Sequence, residues 1–251
     1  MIFGRKKAEP IEQDDDIVEA AFDEDADADD VETDDDVELE DGTVRPVADN
    51  VDEWDAVDAA DWREEGPFDI EEVDLDADSG KVERLDLGTL VVTPFEGMQV
   101  QLQVDQTTQQ VQAAILMAGT SALEVSVFAA PAKSVMIGEI RREMLRSTIE
   151  DLHGTAEFVE GPFGTEVRRV IPMTTPDGKD AVHVSRTWMV QGPRWLLRGV
   201  LMGEAAMTEG IDGAVANFHD TFCNLVVRRD ESPRIPGDLM PMTLPASLVA
   251  Q

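Results

Sequence analysis

The sequence is poor in the residues that most often carry chemistry or covalent cross-links. Its 251 residues include one cysteine, three histidines and no tyrosine. The single thiol, Cys223, excludes an intrachain disulfide, which is typical of proteins from a reducing compartment. A structural zinc site is equally disfavoured, because no two histidines have the spacing of metal ligands. His219 and Cys223 lie four residues apart on a predicted helix, and we interpret this pair as packing.

Long apolar runs and catalytic motifs are also missing. The longest nearly apolar run, residues 113–119, is far shorter than the roughly 20 residues of a membrane span. No apolar stretch follows the basic residues near Met1, so we expect no signal peptide, no membrane contact and a cytoplasmic location. No phosphate-loop ending and no Gly-x-Ser-x-Gly elbow occurs. These absences predict that the protein has no cofactor and favour a non-catalytic role.

Negative charge dominates what is present. The formal net charge is −34, and residues 1–66 hold 27 acids against 5 bases. Such a segment repels itself and has little apolar surface, which predicts an acidic disordered arm over residues 1–66. Trp54 within it is a candidate anchor for a partner protein. The arm disfavours direct contact with a nucleic-acid backbone. It favours a protein partner, which could carry a basic surface, and solubility alone would also explain it.

The remaining sequence predicts one α+β domain over residues 67–229. Four strands are predicted at residues 85–93, with a bulge at Gly88, and at residues 98–104, 111–117 and 122–129. A helix follows, with Ser134 as its N-cap and Gly154 as the residue just beyond its end. Four more strands are predicted at residues 156–160, 165–173, 181–190 and 195–202, followed by a helix from about Asp212. This order predicts a largely antiparallel sheet made of two ββββα halves and covered by helices. The proline-rich tail, residues 230–251, is expected to be extended and either packed on the surface or loose.

Several segments resemble a known family. They are Met1-Ile2-Phe3-Gly4-Arg5, Gly66-Pro67-Phe68-Asp69, Leu87-Gly88-Thr89-Leu90, Gly192-Pro193-Arg194-Trp195-Leu196-Leu197-Arg198-Gly199 and Pro236-Gly237-Asp238-Leu239-Met240-Pro241. Together they resemble an actinobacterial family catalogued as domain of unknown function 3710, which implies no activity. The element order is also similar to the Mog1/PsbP-type sandwich, whose members are mostly adaptors and accessory factors.

One group of residues could form a site. A two-residue turn at Asp177-Gly178 and a three-residue loop at residues 191–193 would place Arg169, Arg186 and Arg198 in a row across three strands. Three opposed arginines on an apolar face require an anion between them. An acid of the first helix or the arm could supply it, or an external phosphate or carboxylate could bind there. A different loop length would dissolve the row.

Two hypotheses about function follow. The first is a non-catalytic protein-interaction or accessory module with an acidic regulatory arm. The alternative is a small-anion or nucleotide-related enzyme or binding protein that uses the arginine row. The sequence leaves the oligomeric state open.

Overall fold

The computed structural model describes residues 4–5, 51–77, 80–230 and 232–244. The strands are β1 (Gly4–Arg5), β2 (Phe68–Asp69), β3 (Val73–Asp74), β4 (Leu85–Asp86), β5 (Leu90–Val92), β6 (Gln99–Val104), β7 (Val111–Ala118), β8 (Ser121–Ala129), β9 (Thr155–Gly161), β10 (Gly164–Thr174), β11 (Asp180–Gly192), β12 (Trp195–Gly203) and β13 (Val226–Val227). The α-helices are α1 (Val51–Asp58), α2 (Ile137–Glu150), α3 (Glu204–Met207) and α4 (Ala216–Cys223).

Seven antiparallel strands form the main sheet, in the order β6-β7-β8-β12-β11-β10-β9. Each half of the chain supplies a meander, because consecutive strands joined by short loops pair with each other. The two meanders meet where β8 pairs with β12, with Trp195 opposite Ala129. The predicted α+β class with a largely antiparallel sheet is confirmed.

The first predicted strand, residues 85–93, does not belong to the main sheet. It is a tight hairpin of β4 and β5, in a second sheet of order β2-β13-β5-β4. Gly88, expected as a bulge, is the turn residue with φ +75°, and its N–H donates to the Asp86 carboxylate at 2.8 Å. A residue held at positive φ ends the extended conformation, so the segment turns back on itself.

One face of the main sheet, the α4 face, carries the larger apolar core. Leu123, Val125 and Leu197 are fully buried there beneath Phe218 and Phe222 of α4. Gly199 sits at the centre of this contact, where an added Cβ would lie 2.7 Å from the Phe222 ring. Only a glycine lets the helix approach the sheet this closely.

The opposite face, the α2 face, is covered by a helix over only part of its width. Ile137 and the partly buried Met144 of α2 pack with Val167 of β10 and Met189 of β11. The helix begins at Ile137 rather than after Ser134, whose carbonyl instead accepts a hydrogen bond from the Gln191 side chain at 2.7 Å. The predicted Ser134 cap is therefore wrong, because that residue fastens the preceding loop to β11.

The folded region extends beyond both predicted boundaries of the domain. Residues 51–66, expected to belong to the disordered arm, contain α1 and pack on the domain. The rest of the arm lies outside the described residues, apart from Gly4 and Arg5, which pair with β3. The tail segment 232–244 is part of the fold rather than a loose extension, because Met240 and Met242 are buried in the main core. Their N–H groups donate to carbonyls of β8 and β7 at 2.8 and 2.9 Å.

Candidate functional site

The loop between β10 and β11 removes Arg186 from the predicted row. Thr175 donates its N–H to the Lys179 carbonyl at 2.9 Å, so the loop contains three residues rather than two. Arg169 consequently lies opposite Ser185 and not opposite Arg186. A one-residue change of register moves a side chain to the other face of a sheet. Arg186 therefore points to the α4 face, and the predicted three-arginine row is wrong.

The loop between β11 and β12 keeps the other two arginines together. It contains two residues, with Arg194 at φ +61°, and it places Arg198 opposite Met189. Arg169 and Arg198 then share the α2 face with Thr187, which lies on the strand between them. Thr187 is the diagonal neighbour of both arginines, and diagonal neighbours on one face are within reach of long side chains.

Both arginines of this pair are partly buried. Burial lowers the pKa of Arg169, and the nearby charge of Arg198 lowers it further, against the opposing effect of Glu124. Burial also lowers the pKa of Arg198. The Arg198 guanidinium lies 5.0 Å from the centre of the Phe128 ring and 3.9 Å from the Glu124 carboxylate. Among the described residues, Arg169 makes no ion pair within 4.0 Å.

Several polar atoms at this position have no hydrogen-bond partner in the part of the chain that is described. They are the Nε atoms of both arginines, the Ser185 hydroxyl and the Thr187 hydroxyl. Both hydroxyl-bearing residues are fully buried. Buried polar groups in native proteins are nearly always hydrogen-bonded, to protein, water or ligand. We call Arg169, Ser185, Thr187 and Arg198 the arginine-pair site.

Arg186, by contrast, is paired within the domain. The buried Glu166 carboxylate accepts hydrogen bonds from Arg186 at 2.8 and 2.9 Å, from Arg168 at 2.8 Å and from Trp188 at 2.6 Å. The third nitrogen of Arg186 donates to the Thr208 carbonyl at 2.6 Å. An internal acid was one of the two expected sources of an anion, and here a neighbouring strand supplies it. This buried network is saturated with partners, so its role is structural.

Acids of the arm do pair with arginines, but on α2. The Arg141 side chain is 1% exposed and donates to Asp58 and, at 2.7 Å, to Asp55. Asp58 also accepts the N–H of Thr165 at 3.0 Å. Trp54 lies edge-to-face on Phe158 with 6.3 Å between ring centres. The predicted anchor thus contacts its own domain, and a role in anchoring a second protein stays a prediction.

Cys223 and His219 are close, but they do not form an activated pair. The sulfur lies 3.8 Å from the His219 Nε2, beside a cavity of about 240 Å³ that is also lined by Glu65 and Asp220. Burial and then the two carboxylates raise the pKa of Cys223 to about 12. A nucleophilic cysteine needs a lowered pKa and a positive environment. The His219 ring stacks on Phe163, with 5.4 Å between ring centres, which agrees with packing.

No cluster of three or more metal-ligating His, Cys, Asp or Glu side chains occurs within the described ranges. None of the helices that the structure describes has the length and apolar composition needed to cross a membrane.

Sequence reasoning found Arg169 and Arg198 but missed the two hydroxyls between them. Ser185 and Thr187 alternate with Arg186 along β11, so the register decides which set accompanies the other two arginines. The available signal was the loop closed by Thr175 and Lys179, whose length could not be chosen from residue types alone. No sequence pattern indicates a role for Arg141, because its partners are more than 80 residues away in sequence.

Comparisons with known proteins indicate a family but no activity. Two solved structures are weakly similar. A protein from Bacteroides thetaiotaomicron VPI-5482 has a TM-score of 0.35 and 10% sequence identity to this chain. The match covers 66% of this chain and about half (53%) of that protein's chain. The solution structure of cyanobacterial PsbP (CyanoP) from Synechocystis sp. PCC 6803 has a TM-score of 0.33 and 11% identity over 58% of this chain and 92% of that chain. No curated protein matches. The model of the family described as protein of unknown function (DUF3710) matches residues 66–251, so the chain belongs to that family.

Proposed function

We propose that this domain is a non-catalytic binding module whose α2 face receives a carboxylate group of a partner protein at the arginine-pair site. The observation that carries this proposal is the set of unpartnered donors there, two guanidinium Nε atoms and two buried hydroxyls on three neighbouring strands. An arginine fork and adjacent hydroxyls are the donors that carboxylates and phosphates bind best.

The energetics of the site favour an external anion. A buried polar group without a partner destabilises a protein by about 1–3 kcal/mol. Among the described residues, the one ion pair of Glu124 is with Arg198, at the long distance of 3.9 Å, and Glu124 remains partly exposed. One carboxylate placed between Arg169 and Arg198 would satisfy donors on both and would offset their mutual repulsion.

The shape of the surface favours a group presented by a macromolecule. Four shallow cavities of the described chain are lined by other residues. The arginine pair lies on sheet surface, with the Arg198 side chain 31% exposed. An open sheet face suits a side chain from a flat protein surface better than an enclosed small molecule.

The acidic arm adds a second part to this proposal. Its charge of −22 over residues 1–66 would steer a partner that also carries a basic surface. Such steering raises the association rate and weakens with added salt. We therefore infer a partner with both a basic region and an acidic side chain, meeting a protein that is cytoplasmic and of actinobacterial origin.

The test uses inorganic phosphate as a probe of the arginine-pair site in the full chain. If phosphate binds with a Kd of about 1 mM, about 20 mM phosphate should stabilise the protein by about 1.8 kcal/mol, relative to chloride at equal ionic strength. The double variant of Arg169→Gln and Arg198→Gln should lose this gain. Arg146→Gln is the matched control, because it removes an exposed arginine that, among the described residues, pairs with Glu143 alone.

The readout is the melting temperature, with the same titration repeated using succinate. A stabilisation that is equal in the wild type and the double variant would place the anion elsewhere and overturn the proposal. No stabilisation by either anion in the wild type would overturn it as well. Stabilisation of the wild type and of Arg146→Gln, but not of the double variant, supports the proposal.

A further inference from the structure

Strand β6 ends the main sheet at an edge that lacks the usual protection. Within the described chain, β6 pairs with β7 on one side only. Proteins normally guard such edges with charged side chains, proline or bulges that bend the strand away. Residues 97–104 contain no charged residue and no proline, although 54 of the 251 residues are acidic. The irregularity near Val104 inserts its extra residue, Gln112, into β7, so β6 itself stays regular.

The other edge of the same sheet provides an internal comparison. Strand β9 carries Glu157 and Glu160, both exposed, and α2 packs against it. A strand from another molecule would have to oppose these charges or displace the helix. Within the described residues, the two edges of this sheet therefore differ: charge and a helix guard β9, and neither guards β6.

The side chains of β6 suit an identical strand. If two copies pair antiparallel about Gln101, Gln99 meets Gln103 of the other copy, and Val100 meets Leu102. Glutamine opposed to glutamine forms hydrogen bonds without charge repulsion, whereas an acid at these positions would oppose its own copy.

The apolar side of β6 is incompletely covered in one copy of the chain. Met98, Val100 and Leu102 pack on the core but are only partly buried, and Val104 is 39% exposed. In the antiparallel arrangement, Val104 would lie beside Met98 of the second copy. Pairing would thus bury apolar surface at both ends of the strand and extend the sheet from seven strands to fourteen.

We propose that the chain forms a two-fold symmetric dimer through β6, with Gln101 on the symmetry axis. The contact is one strand wide, so it falls at the small, weak end of protein interfaces. Both copies carry a net charge of −34. Their mutual repulsion is screened as salt rises, so the dimer strengthens with salt, in contrast to an association driven by opposite charges.

The test is sedimentation equilibrium of the full chain over about 5–500 µM, where a weak interface of this size would dissociate. We expect a reversible monomer–dimer equilibrium that shifts toward dimer between about 0.05 and 0.5 M NaCl. Gln101→Lys opposes two like charges on the axis and should weaken the dimer at least about tenfold. Gln110→Lys makes the same charge change at an exposed position outside the strand and should have no effect.

A cross-linking experiment locates the axis independently of affinity. Oxidation of Gln101→Cys should give a disulfide-linked dimer, and oxidation of Gln110→Cys should not, because only position 101 meets itself across the axis. A protein that is monomeric throughout the concentration range overturns the proposal. So does a dimer that Gln101→Lys leaves unchanged, since its interface would lie elsewhere. A segment of the same chain covering β6 would give the monomeric outcome.

Discussion

Replacing Glu166 with glutamine should destabilise the domain strongly, because this carboxylate neutralises a buried arginine. Each oxygen of Glu166 accepts two hydrogen bonds: one from Arg186 and Arg168, the other from Arg186 and Trp188. Glutamine keeps the shape but replaces one oxygen with an NH₂ group, which would face two donors. The Arg186 side chain is 3% exposed, so it cannot recover its hydration.

The expected loss in the free energy of unfolding is about 3–5 kcal/mol, the usual effect of removing one partner of a buried ion pair. Urea denaturation followed by far-UV circular dichroism measures it. Glu160→Gln is the matched control, because that residue is exposed on the neighbouring strand and should change stability by less than about 0.5 kcal/mol. The combined variant Glu166→Leu with Arg186→Met should recover much of the loss, since no buried charge is left unpaired.

The effect of Glu166→Gln on the free energy of unfolding should depend on pH. Burial raises the pKa of Glu166, but hydrogen bonds and charge from Arg186, together with Arg168, bring it below its ordinary value of 4.5. A lowered folded-state pKa means that the carboxylate stabilises the fold above about pH 4.5, and that this contribution is lost as pH falls through the folded-state pKa. The stability difference between wild type and Glu166→Gln should therefore be constant near neutral pH and shrink below about pH 4.5. A loss below 1 kcal/mol at pH 7, or a difference that does not shrink in acid, would refute the reasoning.

Three further predictions concern the termini and the thiol. Deleting residues 239–251 removes two buried methionines, Met240 and Met242, and should lower the free energy of unfolding by at least about 3 kcal/mol in urea denaturation; an unchanged midpoint would show that the tail only lies on the surface. Trp54→Ala removes the contact with Phe158 and should speed amide hydrogen exchange in residues 51–58 but not in β8, whereas unchanged exchange would mean that the ion pairs of Arg141 alone hold α1. Cys223, with its pKa raised from 9.0 to about 12, should have about a thousandfold less thiolate than an ordinary cysteine at pH 7 and react with a thiol reagent only after unfolding in urea; rapid labelling of the native protein would contradict this.

The strands of the main sheet were predictable, and their register was not. Alternation of apolar and polar residues located β6 and β10 within a few residues, because one buried face imposes a period of two. Register depends on loop length, and the loops at Thr175–Lys179 and Pro193–Arg194 each differ from the expected length. A change of one residue moved Arg186 to the opposite face, where it meets Glu166, an acid that was not a candidate partner.

The contacts made by the arm and the tail were unpredictable for another reason. The composition around Asp55 and Asp58 is that of a disordered segment. The neighbouring sequence does not indicate that these acids pair with Arg141, on a helix more than 80 residues away. Met240 and Met242 lie among prolines, which predict an extended chain but not the bridges that this chain makes to β7 and β8. Pairings over such distances are decided by the assembled core rather than by local propensity.

The position of β13 and the tail has a consequence for synthesis of the protein. In the small sheet, Val226 pairs with Phe68 on one side and with Val91 on the other. Met242 forms a β-bridge with Val111. A ribosome therefore releases the β6–β8 meander long before the segments that cover it exist. Because contacts between distant residues form slowly, the core is complete only after residue 242 has left the exit tunnel. We expect nascent chains that end before α4 to expose the α4 face and to depend on chaperones until α4 and the tail have been made.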